Sequence, residues 1–177
     1  MGRLSLGWDH PLRNQSYICM YLIDDEDRVV KLRELPPHDA SAPEPVVLAT
    51  DMRVLLAYHS AGDTNDRVII EFEGPRAHYF GPPNDEALTG HPLSTRGLTP
   101  YGSFEMIASS WIRLLEQRNR VHWRHDARQF STLRHFVLTF HDKTFECIAK
   151  GISTICHGTI DAELRNIMLR DCTLRAC

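Results

Sequence analysis

No stretch of this sequence stays apolar for long. Charged residues interrupt every hydrophobic run well short of the ~18 residues that a membrane-crossing helix needs. The first eleven residues hold no run suited to a signal peptide, and Leu6 stands where myristoylation requires a hydroxyl residue. A cytoplasmic protein with no membrane attachment is expected. Cysteine is sparse and unpatterned. Cys19, Cys147, Cys156, Cys172 and Cys177 contain no C-x-x-C pair, and five is an odd number, so reduced structural thiols are expected rather than a disulfide framework. Positive charge is not in excess: the formal net charge is −3, which gives no global attraction to nucleic acid.

Catalytic and nucleotide-binding fingerprints are missing too. No serine sits in a G-x-S-x-G elbow, and neither G-x-G-x-x-G nor the P-loop pattern occurs. No cofactor is called for. Internal repeats, low-complexity tracts and coiled-coil heptads are also lacking.

What remains is ordinary globular composition, 42% hydrophobic and 24% charged over 177 residues, read as one domain spanning 1–177. Residues 16–23 are rich in aromatic and branched side chains and read as a strand, and after a turn at Asp24–Asp27 the run 28–33 returns as its partner. Residues 46–50 and 52–59 read as two further strands or one bent strand, and strands are expected at 67–73 and 77–80, with Pro- and Gly-containing turns between them. The repeat of Phe104, Ile107, Ala108, Trp111, Leu114 and Leu115 predicts an amphipathic helix over 103–119, capped by Ser103. A hairpin over 133–150 with its turn at Asp142-Lys143 pairs Phe140 with Phe145, Leu138 with Cys147 and Phe136 with Ala149. The span 159–171 reads as a short C-terminal helix. Parallel strands need long crossovers and the first half has no helix to supply them, so the fold class is α+β, a mainly antiparallel sheet of hairpins with one amphipathic helix packed on it.

Residues 81–100 form the longest irregular stretch, and Leu88, Leu93 and Leu98 are expected to anchor it on the body. Within it Asp85 and Glu86 lie near His91, a pairing suited to acid–base chemistry. Equally, Asn-Asp after Pro-Pro is plain turn chemistry. Ten histidines are present, and His122-x-x-His125 with His141-Asp142 resembles the ligand pattern of HD-type phosphohydrolases. That family is all-helical, whereas His141-Asp142 here falls at a hairpin tip, so the resemblance is set aside and no metal is assigned. Arginines from 113 to 134, interleaved with Trp123 and Phe130, could hold an anion or a single strand. A basic helix end more often complements the helix dipole.

These readings rank a non-enzymatic binding or interaction module first, for a small molecule or a protein. A small His-based enzyme, metal-assisted in one version, and an anion- or nucleic-acid-binding domain on the 113–134 segment are the alternatives, so enzymatic activity stays open. Nucleic acid is disfavoured by the acidity, and homo-oligomerisation stays open. The candidate site residues are Asp85, Glu86, His91, His122, Arg124 and His125. The 81–100 loop and the 122–128 segment are expected to meet.

Overall fold

A computed structural model describes residues 21–40, 45–61 and 67–157. The expected strand over 16–20, the C-terminal helix over 159–171, and Cys19, Cys172 and Cys177 lie outside the described residues.

Nine strands among the described residues form two antiparallel sheets. One sheet has the order β1-β6-β7-β8-β5, from Arg28–Lys31, Gly102–Ile107, Arg134–Thr139, Thr144–Ala149 and Ala77–Gly81. The other has the order β2-β3-β4-β9, from Val46–Ala49, Val54–His59, Arg67–Glu73 and Gly151–His157. The chain passes between them three times, from β1 to β2 and then in two short steps at Gly74–Arg76 and at Lys150. Strand alternation then builds the core. Leu56, Tyr58, Ile70 and Phe72 from the second sheet meet Phe136, Leu138, Phe145 and Cys147 from the first. Phe72 packs on Phe136 and Phe145 with ring centroids 5.8 and 5.1 Å apart.

The outward face of the five-stranded sheet is covered as well. Residues 82–100 cross it through two 3-10 turns, Leu88–Gly90 and Pro92–Arg96, and Leu88, Leu93 and Leu98 are buried against Phe104, Met106 and Val137, as expected. Beside them the helix α1 (Ser110–Asn119) sets Trp111 against Tyr21, Leu133 and Ile148. A short turn of helix, α2 (Arg128–Ser131), follows. The α+β reading therefore holds, with the sheets dominant. Among the described residues no helix is long and apolar enough to cross a membrane.

Three elements differ from expectation. The helix expected over 103–119 is a strand followed by a helix. Its apolar stripe straddles both, because Phe104 and Met106 share one strand face while Trp111 belongs to α1. The break falls at Ala108, which takes φ 54°, and the cap is Ser109, whose Oγ accepts from the Ile112 amide, not Ser103. Nothing in an alanine announces a left-handed turn. Second, the 133–150 hairpin turns at His141-Asp142, so Leu138 faces Phe145, Phe136 faces Cys147, and the Phe140 amide donates to the Lys143 carbonyl. The offset is two residues, an even slip that leaves Phe136, Leu138, Phe140, Phe145, Cys147 and Ala149 on the core face. Third, β1 pairs with β6, and Tyr21–Ile23 is not in a strand.

Trp111 is 1% exposed and its ring stacks on Tyr21 at 5.2 Å. Trp111→Ala is expected to cost about 3–5 kcal/mol. Equilibrium urea unfolding checks this, and unchanged stability would remove α1 from the core.

Candidate functional site

Strand alternation turns His135 and Glu146 outward from the sandwich, toward the covering layer, where a carboxylate and an imidazole have no water. Their solution is mutual. Glu146 Oε2 accepts from the Tyr21 hydroxyl at 2.5 Å and from His135 Nε2 at 3.0 Å, and Oε1 accepts from His91 Nε2 at 3.3 Å. Burial alone would push the Glu146 carboxyl up, but the bonds and charge of His135 and His91 outweigh it and hold the group down at about 2. His91 Nδ1 accepts the Leu93 amide, so its proton sits on Nε2 and points at Glu146. A ring so tied presents no lone pair to a metal at Nε2. Among the described residues no three His, Cys, Asp or Glu side chains form a metal-binding group.

His135 Nδ1 lies 2.8 Å from Ser109 Oγ, which makes a hydroxyl–imidazole–carboxylate series. The series stands at a strand-to-helix bend, as in a nucleophile elbow. The amide that such a serine would draw on is already engaged. The amide after Ser109, where an oxyanion would be held, donates to the buried Asp27 carboxyl at 2.7 Å. An acid in the oxyanion position repels the charge that acyl transfer develops. Ser109 is a helix cap, and the network is a structural clamp joining residue 21, the covering loop, β7, β8 and α1.

The second cluster lies at the open edge of the sandwich, where the chain leaves β1 and crosses to the other sheet. A recess of about 420 Å³ is lined by Lys31, Leu32, Arg33, Leu35, Pro37, His38, Tyr101, Gly102 and Ser103. Its floor is His38, stacked on Phe140 at 4.5 Å and edge-on to Tyr58 at 4.7 Å. His38 Nδ1 donates to the Thr139 carbonyl at 3.3 Å, leaving Nε2 to accept from Ser103 Oγ at 3.0 Å. Burial pulls this imidazole down to about 4. Tyr101, at φ 55°, forms one wall, and its hydroxyl donates to Asp85 Oδ2. His141 Nδ1 joins them, 3.1 Å from the Tyr101 oxygen and 2.9 Å from Asp85 Oδ2. Hydrogen bonds from Tyr101 and then His141 lower Asp85, and the bond to Asp85 raises both His141 and Tyr101.

The sequence candidates separate. Asp85 braces the recess wall, and Glu86 beside it is exposed. His91 belongs to the buried clamp. His122, Arg124 and His125 bond within their own segment and α1: His122 Nδ1 to the Arg124 amide, His125 to Asn119 and Glu116, with Arg124 stacked on Trp123. The two segments thus make different sets of partners. Of the arginines between 113 and 134, Arg113 pairs with Asp24 and Glu26, Arg120 with Glu116, Arg128 with Asp126 and Arg134 with Glu105. Acids that the linear charge run does not show therefore consume most of it.

Glu146, His135, Tyr21, His38, Ser103 and Tyr101 were not among the candidates. An acid between Phe145 and Cys147, with a histidine on the same hairpin face, was the available signal. It is outweighed when the outward face is taken to meet solvent.

The clamp has an acid signature. A carboxyl lowered from 4.5 to about 2 gives stability that is complete above pH 4.5 and lost as pH falls toward 2. Glu146→Gln is expected to cost about 3–5 kcal/mol at neutral pH and to flatten the acid limb of the stability curve. Chemical denaturation from pH 7 to pH 2.5 checks both, and an unchanged acid limb in the variant would refute the clamp's charge. Comparison of the chain with protein-family models, curated proteins and solved structures finds no match.

Proposed function

We propose that this chain is a non-enzymatic binding module whose ligand, a small anion with an apolar body, enters the recess between Tyr101 and the 31–38 segment. The observation that carries the reading is the distribution of chemistry around that recess. Lys31 and Arg33 stand exposed on its lining, and among the described residues neither is in an ion pair. Leu32, Leu35 and Pro37 supply apolar walls, and Ser103 supplies a hydroxyl at the floor. A few polar groups set among apolar ones is the usual make-up of a ligand pocket.

The balance between binding and catalysis is set by His38. A serine hydroxyl bonded to an oriented imidazole is the start of a nucleophile–base pair. A general base works best when its pKa lies near the working pH. His38, held at about 4 by its burial, takes a proton from Ser103 poorly at neutral pH. The pair is better suited to receiving a ligand than to attacking one. Asp85 and His141, bonded to each other and to Tyr101, brace the wall in the same spirit.

Isothermal titration with benzoate and with phenyl phosphate tests the reading. Binding should weaken as salt rises, and each of Lys31→Ala and Arg33→Ala should lower affinity about tenfold, from the loss of a charge-assisted bond of ~1.5 kcal/mol. A Lys31→Ala/Arg33→Ala double variant that binds both anions as the parent does, or a parent that binds neither, overturns the proposal.

A further inference from the structure

The helix α1 carries a second recess. It holds about 450 Å³ and is lined by Ser110, Arg113, Leu114, Gln117 and Arg118, with Tyr21, Leu22 and Asp24 opposite. Ser110, Leu114, Gln117 and Arg118 recur at i, i+4, i+7 and i+8, so one stripe of the helix forms the floor. The opposite wall is fixed, because Tyr21 stacks on Trp111 and its hydroxyl is held by Glu146. Arg113 closes the N-terminal end, spent on Asp24, Glu26 and the Ala108 carbonyl.

Two features of this groove are explained by no contact among the described residues. The Ser110 hydroxyl is buried, in a residue 8% exposed, with no hydrogen-bond partner, and it is the single such side chain among the described residues. A buried hydroxyl left unpaired costs on the order of 1–3 kcal/mol, so folded proteins seldom leave one without a function. Leu22, meanwhile, forms wall at 88% exposure, although an apolar side chain gains by being covered. At the far end Arg118 is in no ion pair among the described residues, unlike Arg113 and Arg120 on the same helix.

We infer that this groove is a binding site for a carboxylic acid that carries an apolar body and a hydrogen-bonding group at its far end. Arg118 and Gln117 take the carboxylate, Leu114 and Leu22 cover the body, and the Ser110 hydroxyl meets the distal polar group. The spacing agrees. Ser110 and Arg118 are about 12 Å apart along the helix at ~1.5 Å per residue, and helical side chains lean toward the N-terminus, which shortens the gap between the two polar groups. A para-substituted arylacetate spans what is left. The inference rests on α1 and not on the recess lined by Lys31 and Arg33.

The test compares 4-hydroxyphenylacetate with phenylacetate, which lacks the distal hydroxyl, by ¹⁵N-resolved NMR titration of the full chain. The Lys31→Ala/Arg33→Ala background removes binding at the other recess. The hydroxylated acid is expected to bind about threefold to tenfold more tightly, from one added hydrogen bond, and to shift the amides from Ser110 to Arg118. Ser110→Ala should erase the preference while phenylacetate still binds, and Arg118→Gln should weaken both acids alike. If neither acid shifts these amides, or if the preference survives Ser110→Ala, the site does not exist as described. Amide spectra of each variant, matching the parent away from α1, exclude misfolding as the cause.

Discussion

A carboxylate shut away from water must be satisfied completely or the chain cannot close over it, and Glu146 imposes that condition here. Its two oxygens take donors from Tyr21, His91 and His135, which come from three separate parts of the chain. His135 in turn reaches Ser109, the cap of α1, and so fixes where the helix begins. The covering loop, the helix and the segment around residue 21 are therefore positioned by one buried charge. Hydrophobic contact of Leu88, Leu93 and Leu98 supplies much of the energy that holds the loop down. Such contact is not directional. The clamp adds direction, since a loop shifted by one residue would part His91 from Glu146 Oε1 and leave both buried groups short of a bond.

How much of this was legible follows from which forces act locally. Strands β2 to β5 and the covering loop's leucine anchors could be read because alternation and turn residues announce them one segment at a time. The even slip in the β7–β8 hairpin shows the limit of that information: patterning fixes which residues face the core, while register depends on where the turn is tied. Here the His141 carbonyl accepts the Asp85 amide, a bond from a remote loop. The helix boundary was missed for a similar reason. Trp111 belongs to a helical stripe whichever way Phe104 is assigned, and the positive φ at Ala108 is imposed by the fold and not by alanine.

Site residues were harder still, because polarity carries opposite meanings on the two kinds of surface. His122, Arg124 and His125 look like a cluster in the sequence and are one, but they bond to one another's segment and to α1. His135 and Glu146 look like a solvent face and are buried. Nothing in the linear pattern says that a hairpin's second face will be covered by residues 82–100 and α1. Asp85, among the candidates, reaches the recess beside β1, and it does so through Tyr101, a residue that the charge and histidine patterns do not single out.

The same polar groups bear on binding and on catalysis, and the distinction lies in what each is already committed to. Ser109 has its imidazole and carboxylate, yet the neighbouring amide is given to Asp27. Ser103 has its imidazole, yet burial has taken most of the basicity from it. Acyl transfer needs an available base and an available oxyanion site together, and neither serine has both. Binding asks for less, namely charges without partners beside apolar walls. Among the described residues Lys31, Arg33 and Arg118 meet that condition, in contrast to Arg113, Arg120, Arg128 and Arg134. The buried ionic chemistry of this fold is consumed in holding its layers together, and among the described residues Lys31, Arg33 and Arg118 bring charge that is in no ion pair to the linings of two recesses.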